Sequence, residues 1–558
     1  MPRSISILVA LLGVDLACGS QAVAPRPAGG PDEAAAPAPA GSKVPADPAA
    51  ASPPVAADQV PVPDSLVADG VPPIPRALAE AVGAYAEARS ASVLGWHPRD
   101  RSLLIATRFA DTPQVHEVRA PGGARRQLTF FADKVAGASY PPVGDGGFLV
   151  LSKDIGGNEF AQNWRLDRAS GKLSLLTDGA AKNSLGVWSN AGERMAYTST
   201  RRTGRDTDLY VLDPRDRATD RRAAELEGGG WSPLDWSPDD QKLLVTNYVS
   251  VNESYLWRID PASGERELLT AKQDPPVAWS GGAFTADGRA VISASDGAGE
   301  FQQLVRLDLA DKKITPLSAD VAWDIDGFAV SRDRTRVAAV ANEGGRSRLH
   351  LYELPGGRER AIAAKLPVGV MSGLRWHSNG RDLAFSLSSA RSPTDAYVLD
   401  TEADRLERWT ESEVGGLNPE TFSEPELITW RSFDEREIPG FYYRPPARYT
   451  GKRPVVVILH GGPEGQSQTG FIGRNNYYLD ELGVALIYPN VRGSTGYGKS
   501  YVRLDNGERR EDAVQDLGAL LDWIAAQPEL DAGRVMIMGG SYGGYMTLAA
   551  SVHFADRI

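Results

Sequence analysis

The chain has 558 residues, 42% of them hydrophobic and 24% charged, which is typical of a soluble globular protein of roughly three or four domains. The formal net charge of −12 argues against nucleic-acid binding, which needs a clustered basic face. Cys18 is the single cysteine, so an intrachain disulfide and a cysteine-based zinc site are both excluded. The six histidines form no HxH or HExxH pair, and we expect no metal site.

The first 18 residues are typical of a secretory signal peptide. Met1–Arg3 carry positive charge, and Ile5–Val14 form an apolar run too short for a stable membrane span. Cys18 follows in a sequence similar to a bacterial lipobox, in which the cysteine is lipidated, although Asp15 stands where an aliphatic residue is usual. Two interpretations stay open, a lipid anchor on Cys18 or a plain signal peptide with an incidental cysteine. Both predict an extracytoplasmic protein, in the periplasm or at the cell envelope.

The next stretch connects this leader to the folded part of the chain. Residues 19–75 are rich in Ala and Pro and poor in large apolar side chains, which predicts a disordered tether. Residues 76–92 then have the composition of a linking helix. We expect a long tether of this kind to hold a folded body away from a membrane surface.

A pattern of turns and short strands repeats seven times between residues 93 and 416. The third strand of four copies is especially clear, as in Leu209–Asp213 and Leu304–Asp308. The residues that open the seven copies are spaced by 46 or 48 positions: Trp96, Pro142, Trp188, Trp236, Phe284, Val330 and Trp376. Regular units of four strands at this period predict a seven-bladed β-propeller, since a two-sheet sandwich does not explain seven equal periods.

Two copies of the repeat share a longer phrase that contains a glutamate. Glu159 and Glu300 occupy equivalent loops, and Glu253 falls close to the matching place in a third copy. Such carboxylates could line one mouth of the propeller and hold the free amine of a substrate. Alternatively, the repeat retains a loop residue for local hydrogen bonding. Both interpretations stay open.

From about residue 417 to 558 the pattern changes to strands that alternate with helices. Segments 425–433 and 437–444 predict a β-hairpin, and Pro454–Leu459 is an apolar run of the kind buried in a parallel sheet. Val484–Tyr488 and Val535–Met538 are two more such strands, and residues 511–526 have helical spacing of their apolar side chains. This order predicts an α/β domain with a parallel sheet.

The last predicted strand runs into a Gly-x-Ser-x-Gly motif centred on Ser541. A strand before the motif and a helix after it give the nucleophile elbow of α/β-hydrolases, so we assign Ser541 as the nucleophile. Acyl transfer also needs N–H donors for the developing oxyanion. We assign these to the backbone of Tyr542 and to Gly461, with Gly462 as the neighbouring alternative. His460, which opens the His-Gly-Gly-Pro loop, is interpreted as a loop-shaping residue.

A propeller followed by His460–Pro463 and Gly539–Tyr545 resembles the prolyl oligopeptidase family, in particular its acylaminoacyl-peptidase and dipeptidyl-peptidase branch. Residues 490–498 also match a phrase of that branch. The resemblance covers residues 93–558 and implies a propeller that admits only short or unfolded peptides. It further implies an acyl-enzyme mechanism, no metal or organic cofactor, and an arginine near the substrate, which corresponds to Arg492.

The resemblance also implies a triad whose chain order is Ser, then Asp or Glu, then His. After Ser541 the sequence contains His553 and then Asp556, which is the reverse order. A residue 12 positions along a helix lies roughly 18 Å away, so His553 is not expected to act as the base. We therefore expect an incomplete α/β-hydrolase domain that is inactive as it stands. A peptide-binding or envelope-binding propeller with a vestigial hydrolase, and an esterase or other acyl hydrolase, remain alternative functions.

Overall fold

The computed structural model describes residues 58–558. The predicted signal peptide, the lipidation hypothesis for Cys18 and most of the predicted tether lie outside these residues. The chain divides into a unit of residues 1–83 and a unit of residues 84–558. In the first unit, Gln59 and Pro75 form an isolated antiparallel bridge. Within the described range, no helix combines the length and the apolar character needed to cross a membrane.

One helix precedes the propeller. Helix α1 spans Arg76–Ala86, and the first strand begins at Ala91, so the helix is shorter than the predicted segment 76–92. It ends early because Ala88 forms an antiparallel bridge with Val414, which commits the chain to an extended conformation. Ala91 is then fully buried in the first sheet.

The propeller consists of seven antiparallel sheets, each built from four consecutive strands, as the repeat predicts. Blade 1 consists of β1 (Ala91–Trp96), β2 (Leu103–Thr107), β3 (Gln114–Val118) and β4 (Arg126–Gln127), and blade 2 of β5 (Gly137–Ser139), β6 (Phe148–Lys153), β7 (Gln162–Asp167) and β8 (Leu173–Leu175). Blade 3 consists of β9 (Val187–Trp188), β10 (Met195–Ser199), β11 (Asp208–Asp213) and β12 (Asp216–Ala224), and blade 4 of β13 (Trp231–Trp236), β14 (Leu243–Ser250), β15 (Glu253–Ile259) and β16 (Arg266–Leu268). Blades 5 to 7 are formed by β17 (Trp279–Phe284), β18 (Ala290–Ser295), β19 (Gln303–Asp308), β20 (Ile314–Pro316); β21 (Ile325–Val330), β22 (Arg336–Glu343), β23 (Arg346–Glu353), β24 (Arg358–Arg360); and β25 (Val370–Trp376), β26 (Asp382–Ser389), β27 (Ser392–Asp400), β28 (Arg405–Arg408).

The repeated tryptophans join neighbouring blades. Six of the seven opening residues end the first strand of their blade, and Pro142 lies three positions after the end of β5. The indole N–H of Trp236 donates to the Val187 carbonyl oxygen of the preceding blade at 3.1 Å, and Trp376 donates to Ala329 at 2.9 Å. Trp96 closes the ring in the same way, because it donates to the Arg375 carbonyl oxygen at 2.9 Å. The period of the repeat therefore reflects one partly buried hydrogen bond per blade junction at these positions.

An arginine side chain crosses the channel end opposite the α/β domain. Arg334, in the turn between β21 and β22, has a φ of +57° and an almost buried guanidinium. It donates to Asp235 at 2.6 Å, to the Phe284 carbonyl oxygen at 2.7 Å and to Asn190 at 3.1 Å. These partners belong to blades 3, 4 and 5, whereas Arg334 belongs to blade 6. This guanidinium therefore ties four blades together at one end of the channel.

The α/β domain contains a five-stranded sheet with the order β29-β30-β32-β31-β33. Its strands and helices are β29 (Glu426–Arg431), β30 (Glu437–Tyr443), β31 (Arg453–Leu459), α2 (Asn476–Asp480), β32 (Ala485–Pro489), α3 (Lys499–Val502), α4 (Arg510–Ala526), β33 (Leu530–Gly539) and α5 (Tyr542–His553). The first two strands form the predicted hairpin, and β31 pairs in parallel with both β32 and β33. The parallel strands are buried by α4 and α5, with Leu517, Leu521 and Met546 in the core.

Blades 4 to 7 hold the α/β domain at one end of the propeller. The contacts come from the loop between the second and third strands of the blades, with the adjoining strand ends, and from residues at or just before the first strand, such as Pro276 and Asp324. Four hydrogen bonds, one per blade, are Arg503 to Asn252 (3.4 Å), Ser500 to Glu300 (2.7 Å), Thr469 to Gly345 (3.2 Å) and Phe471 to Ser388 (3.0 Å). Strand topology puts all of these loops at the same end, which we call the hydrolase-facing end. The α/β domain is thus attached to one side of this end.

Candidate active site

Ser541 lies at a sharp turn between β33 and α5. Its backbone has a φ of +55° and a ψ of −121°, a strained conformation for a residue with a side chain. Glycines make the turn possible, because a Cβ atom at Gly543 would overlap the carbonyl oxygen of Leu459 in β31. A Cβ atom at Gly539 would lie 2.7 Å from the Gly543 carbonyl oxygen. This geometry is the strand–turn–helix elbow that the sequence motif predicts.

The loop after β31 brings Gly461 next to Ser541. A Cβ atom at Gly461 would lie 3.3 Å from Ser541 Cβ and 3.9 Å from its Oγ, so the backbone approaches closely only because Gly461 lacks a side chain. Within residues 58–558, the backbone N–H groups of Gly461 and Tyr542 donate no hydrogen bond. Two unengaged N–H donors beside a strained serine can together receive the oxygen of a tetrahedral intermediate.

His460 shapes this loop. Its Nδ1 lies 2.8 Å from the Gly461 carbonyl oxygen and its Nε2 lies 2.9 Å from Ser494 Oγ, so both ring nitrogens are engaged. Burial lowers the pKa of His460, which favours the neutral ring. Nδ1–H can then donate to the Gly461 carbonyl oxygen, and the Ser494 hydroxyl beside Nε2 donates to the Val491 carbonyl oxygen at 2.6 Å. This agrees with the loop-shaping role that we predict from the sequence.

His553 lies at the far end of α5 and faces a different element. Its Nε2 is 3.5 Å from Glu511 Oε2 on α4, and about half of its side chain is exposed. Twelve residues separate it from Ser541, which corresponds to roughly 18 Å along a helix. Among the residues that the structure describes, neither His460 nor His553 is positioned to accept the proton of Ser541 Oγ.

Arg492, three positions after the end of β32, forms a buried ion-pair cluster. Its guanidinium is 3% exposed and donates to Asp516 at 2.8 Å and to Asp434 at 3.0 Å. Asp516 also accepts from the Ser432 hydroxyl at 2.6 Å and from the Arg492 backbone N–H at 3.0 Å. Phe433 covers the guanidinium plane, with 4.5 Å from the Arg492 Cζ atom to the ring centre. These structural contacts differ from the substrate contact that the resemblance implies for Arg492.

A second buried charged group, which no sequence motif predicts, lies against the elbow. Asp505 is fully buried, and its Oδ2 accepts from Arg510 at 2.6 Å, while its Oδ1 accepts no hydrogen bond from the described residues. The Arg510 guanidinium also lies 5.2 Å from the ring centre of Tyr542. Burial raises the pKa of Asp505 to about 6, Arg510 opposes the rise and Glu464 adds to it. No motif in the sequence marks these residues, because their proximity arises only in the folded domain.

The Asp505→Asn variant is expected to alter how stability depends on pH. The folded-state pKa of about 6 exceeds the ordinary value of 3.8, so the contribution of this carboxyl is full below about pH 4 and is lost as the pH rises through 6. Between pH 4 and 7.5, the free energy of unfolding of the wild-type chain should therefore fall by on the order of 1–3 kcal/mol relative to that of Asp505→Asn. Urea unfolding at both pH values measures this, with Asp512→Asn as the control for removing a partly exposed carboxylate from α4. Equal pH dependence of wild type and Asp505→Asn would contradict the assignment.

The three repeat glutamates have different surroundings. Glu300 Oε1 accepts from the Ser500 backbone N–H at 2.7 Å, which links blade 5 to α3. Glu253 accepts from the Tyr255 hydroxyl on the same strand. Glu159 is 82% exposed, with Lys182 Nζ 4.0 Å away as its nearest cation. Glu300 and Glu253 thus make structural hydrogen bonds, whereas Glu159 is open to solvent.

Comparison with known proteins identifies the family of this domain. Residues 470–557 match the family model described as the prolyl oligopeptidase family. Over 465 residues, the chain is 28% identical to dipeptidyl aminopeptidase BIII of Pseudoxanthomonas mexicana, an alignment that covers 78% of this chain and 57% of that protein. It is 34% identical over 94 residues to the acylamino-acid-releasing enzyme of Sus scrofa, covering 17% of this chain and 13% of that enzyme. The chain thus aligns with just over half of the length of the first relative.

Solved structures share the fold of this chain. A structure from a study of two prolyl endopeptidases superimposes with a TM-score of 0.73 over 85% of this chain and 72% of that chain. The sequence identity is 16%, so this likeness shows the fold alone. It extends over the propeller as well as the α/β domain, and the seven-bladed architecture predicted from the repeat is confirmed. Residues 470–557 therefore carry a prolyl oligopeptidase family domain, and the chain as a whole has the fold of the prolyl endopeptidase structure.

Proposed function

We propose that this chain provides the nucleophile of a serine peptidase that cleaves short peptides through an acyl-enzyme on Ser541. The observation that carries the proposal is the strained backbone of Ser541, φ +55°, between β33 and α5 with Gly461 beside it. A non-glycine residue in this conformation is costly and persists where the geometry serves a function. The peptidase names of the relatives support peptide substrates.

The proposed reaction has two steps. Ser541 Oγ attacks the carbonyl carbon of the peptide bond, and the carbonyl oxygen becomes an oxyanion bound by the N–H groups of Tyr542 and Gly461. The C–N bond breaks, the amine leaves with one proton, and the acyl group stays on Ser541. Water then attacks the ester, which releases the carboxylic acid and restores the serine hydroxyl. The proton of Ser541 must pass to a base other than His460 and His553, for the geometric reasons given above.

Among the described residues, no base is positioned near Ser541. We therefore expect residues 1–558, tested by themselves, to hydrolyse peptides slowly. Enzymes of this kind that lose a triad member keep a residual acceleration of about 10³–10⁴ over water from oxyanion binding and substrate positioning. Hydrolysis of peptide substrates should therefore be weak but dependent on Ser541.

Covalent labelling tests this proposal without requiring turnover. We expect a fluorophosphonate probe in excess to modify the folded chain slowly, over hours, and tandem mass spectrometry to locate the adduct on Ser541. Ser541→Ala should abolish the adduct. Ser551→Ala, at an exposed serine of the same helix, should label like the wild type and controls for reaction at other hydroxyls. Labelling that survives in Ser541→Ala, or no labelling of the folded wild type, would refute the nucleophile assignment.

A paired substrate test addresses the kind of peptide. One relative is named for releasing acylated amino acids and the other for dipeptidyl aminopeptidase activity, so the state of the amino terminus is the variable to compare. The exposed carboxylate of Glu159 would favour a free amine. A dipeptide substrate offered in free and acetylated forms distinguishes the two possibilities by their ratio of kcat/KM.

A further inference from the structure

Two consecutive residues at the start of α4 contact the first turn of α5. The Arg510 Cζ atom lies 5.2 Å from the ring centre of Tyr542, within the range of a cation–π contact. Glu511 Oε1 accepts a hydrogen bond from the Tyr545 hydroxyl at 2.8 Å. Helix α5 begins at Tyr542, directly after Ser541. The start of α4 is therefore coupled to the residues that follow the proposed nucleophile.

The ring of Tyr542 is held from more than one side. The Tyr545 ring stacks on it, with 5.6 Å between the ring centres and 28° between the ring planes. Tyr542 also packs against the hydrophobic core of the α/β domain. Together with the guanidinium of Arg510, these contacts fix the position of the Tyr542 side chain.

Asp505 holds Arg510 in turn. Its Oδ2 accepts from Arg510 Nη1 at 2.6 Å, and the carboxyl is fully buried while the guanidinium is 28% exposed. Gly493 leaves room for this carboxyl, because a Cβ atom at Gly493 would overlap it. An arginine bonded to a buried carboxyl group has little freedom to turn away from Tyr542.

The position of the Tyr542 side chain bears on the oxyanion site, because the Tyr542 N–H is one of its two donors. The orientation of this N–H depends on the ψ of Ser541 and the φ of Tyr542, the two soft angles on either side of the planar peptide bond. Ser541 has a φ of +55° and a ψ of −121°, a strained conformation that persists only where the surrounding structure over-determines it. A fixed Tyr542 side chain contributes to that constraint.

We infer that Arg510, held by Asp505, is a positioning residue that fixes the Tyr542 N–H in the orientation needed to bind the oxyanion. The inference rests on the proposed function and adds a residue of a different helix to the same site. Arg510 acts through the Tyr542 ring and takes no direct part in the chemistry. Its effect on rate arises because oxyanion donors stabilise the intermediate only when they are preorganised.

Substitutions at Arg510 test this through the labelling rate. Arg510→Met keeps most of the side-chain volume and removes the charge, whereas Arg510→Lys keeps a cation beside Tyr542 and Asp505. We expect the fluorophosphonate to label Ser541 about tenfold more slowly in Arg510→Met, and Arg510→Lys to recover most of the loss, because removing a whole oxyanion donor costs about 10²–10³ and a displaced donor costs less. Arg509→Ala removes an exposed guanidinium one position earlier and should label like the wild type.

A second readout needs no probe. It is the amide resonance of Tyr542 in the full chain with isotope-labelled tyrosine, assigned by its absence in Tyr542→Phe. Arg510→Met should shift this resonance, Arg510→Lys should return it towards the wild-type position, and Arg509→Ala should leave it in place. In the labelled protein, the phosphorus resonance of the Ser541 adduct should move in the same order, because it reports the hydrogen bonds to the phosphoryl oxygen. A side chain that only stabilised the fold would lower the thermal stability without ordering these signals.

Thermal unfolding establishes that each variant is folded at the temperature of measurement. If Arg510→Met does not fold, Tyr545→Leu tests the same constraint from the other contact. The Tyr545 ring is 37% exposed, and its removal leaves the Asp505–Arg510 pair intact, so we expect a folded variant with slower labelling and a shifted Tyr542 resonance.

The outcomes separate this inference from the proposed function. An unmoved Tyr542 resonance in Arg510→Met or Tyr545→Leu would overturn the inference, and so would equal effects of Arg510→Met and Arg509→Ala. A Tyr542 resonance that moves as expected in a wild-type chain that is never labelled would refute only the proposed function. Labelling of Ser541 at the same rate in every variant would refute only the role of Arg510.

Discussion

Replacing Gly543 by alanine is expected to abolish fluorophosphonate labelling of Ser541 and to destabilise the α/β domain by about 3 kcal/mol. A Cβ atom at this position would overlap the Leu459 carbonyl oxygen and lie 3.0 Å from the carbonyl oxygen of His460. Both obstacles are backbone atoms of β31 and of the oxyanion loop, so no side-chain rotation relieves the overlap. Helix α5 must move away from the sheet, and Ser541 and the Tyr542 N–H must move with it.

The adjacent glycine provides the matched control. A Cβ atom at Gly544 would have its nearest neighbour, the Gly539 carbonyl oxygen, at 3.6 Å, which is an ordinary van der Waals contact. Gly544→Ala should therefore keep the labelling. Its free energy of unfolding should rise by up to about 1 kcal/mol, since alanine has a higher helix propensity than glycine. The measurements are labelling rate and thermal unfolding of both variants. Similar behaviour of the two would contradict the close packing of α5 against β31.

The Asp516→Ala substitution is expected to lower the free energy of unfolding of the α/β domain by about 3–5 kcal/mol, because it leaves the buried guanidinium of Arg492 without its main counter-ion. Arg492 and Asp516 are 3% and 0% exposed, so water cannot replace the lost carboxylate. Burial raises the pKa of Asp516 and the hydrogen bonds from Arg492 oppose that rise, so the pair depends on both partners. Hydrogen–deuterium exchange should show faster exchange in β29, β32 and α4, while the propeller strands serve as the internal reference.

Asp434→Ala is the control for this prediction. Asp434 contacts the same guanidinium at 3.0 Å but is 32% exposed, and its loss leaves the Arg492–Asp516 pair intact. We expect Asp434→Ala to lower the free energy of unfolding of the α/β domain by about 1 kcal/mol or less. If both variants were equally destabilised, or if exchange increased in the propeller instead, the buried pair would not be what stabilises this corner of the α/β domain.

The sequence predicts those parts of the fold that local patterns encode. The spacing of Trp96, Trp236 and Trp376 predicts the blades, because each indole makes the same bond to the preceding blade. The elbow is equally local, since the strand, the glycines around Ser541 and the helix are contiguous in the chain. Gly461 could be assigned because the glycine-rich loop follows a buried strand directly.

Other features depend on contacts between distant segments, which a single sequence does not reveal. The repeat makes Glu159 and Glu300 equivalent, yet only Glu300 meets the α/β domain, because that domain sits over blades 4 to 7. Arg492 lies in a family motif, but its ion pairs span 24 and 58 positions of the chain. The helix before the propeller ends at Ala86 because Ala88 pairs with Val414, more than 300 residues away. In each case, tertiary contacts override the local pattern.

The position of the Arg334 guanidinium affects how peptides would enter and leave through the propeller channel. The guanidinium donates hydrogen bonds to blades 3, 4 and 5, and Arg332 donates one to the carbonyl oxygen of Pro142 in blade 2. Two charged side chains therefore lie across one end of the central channel. Under the proposed function, we expect these side chains to hinder the passage of a peptide through that end. Substrate and product would then share the opposite side, so accumulated product would compete with substrate and slow successive turnovers.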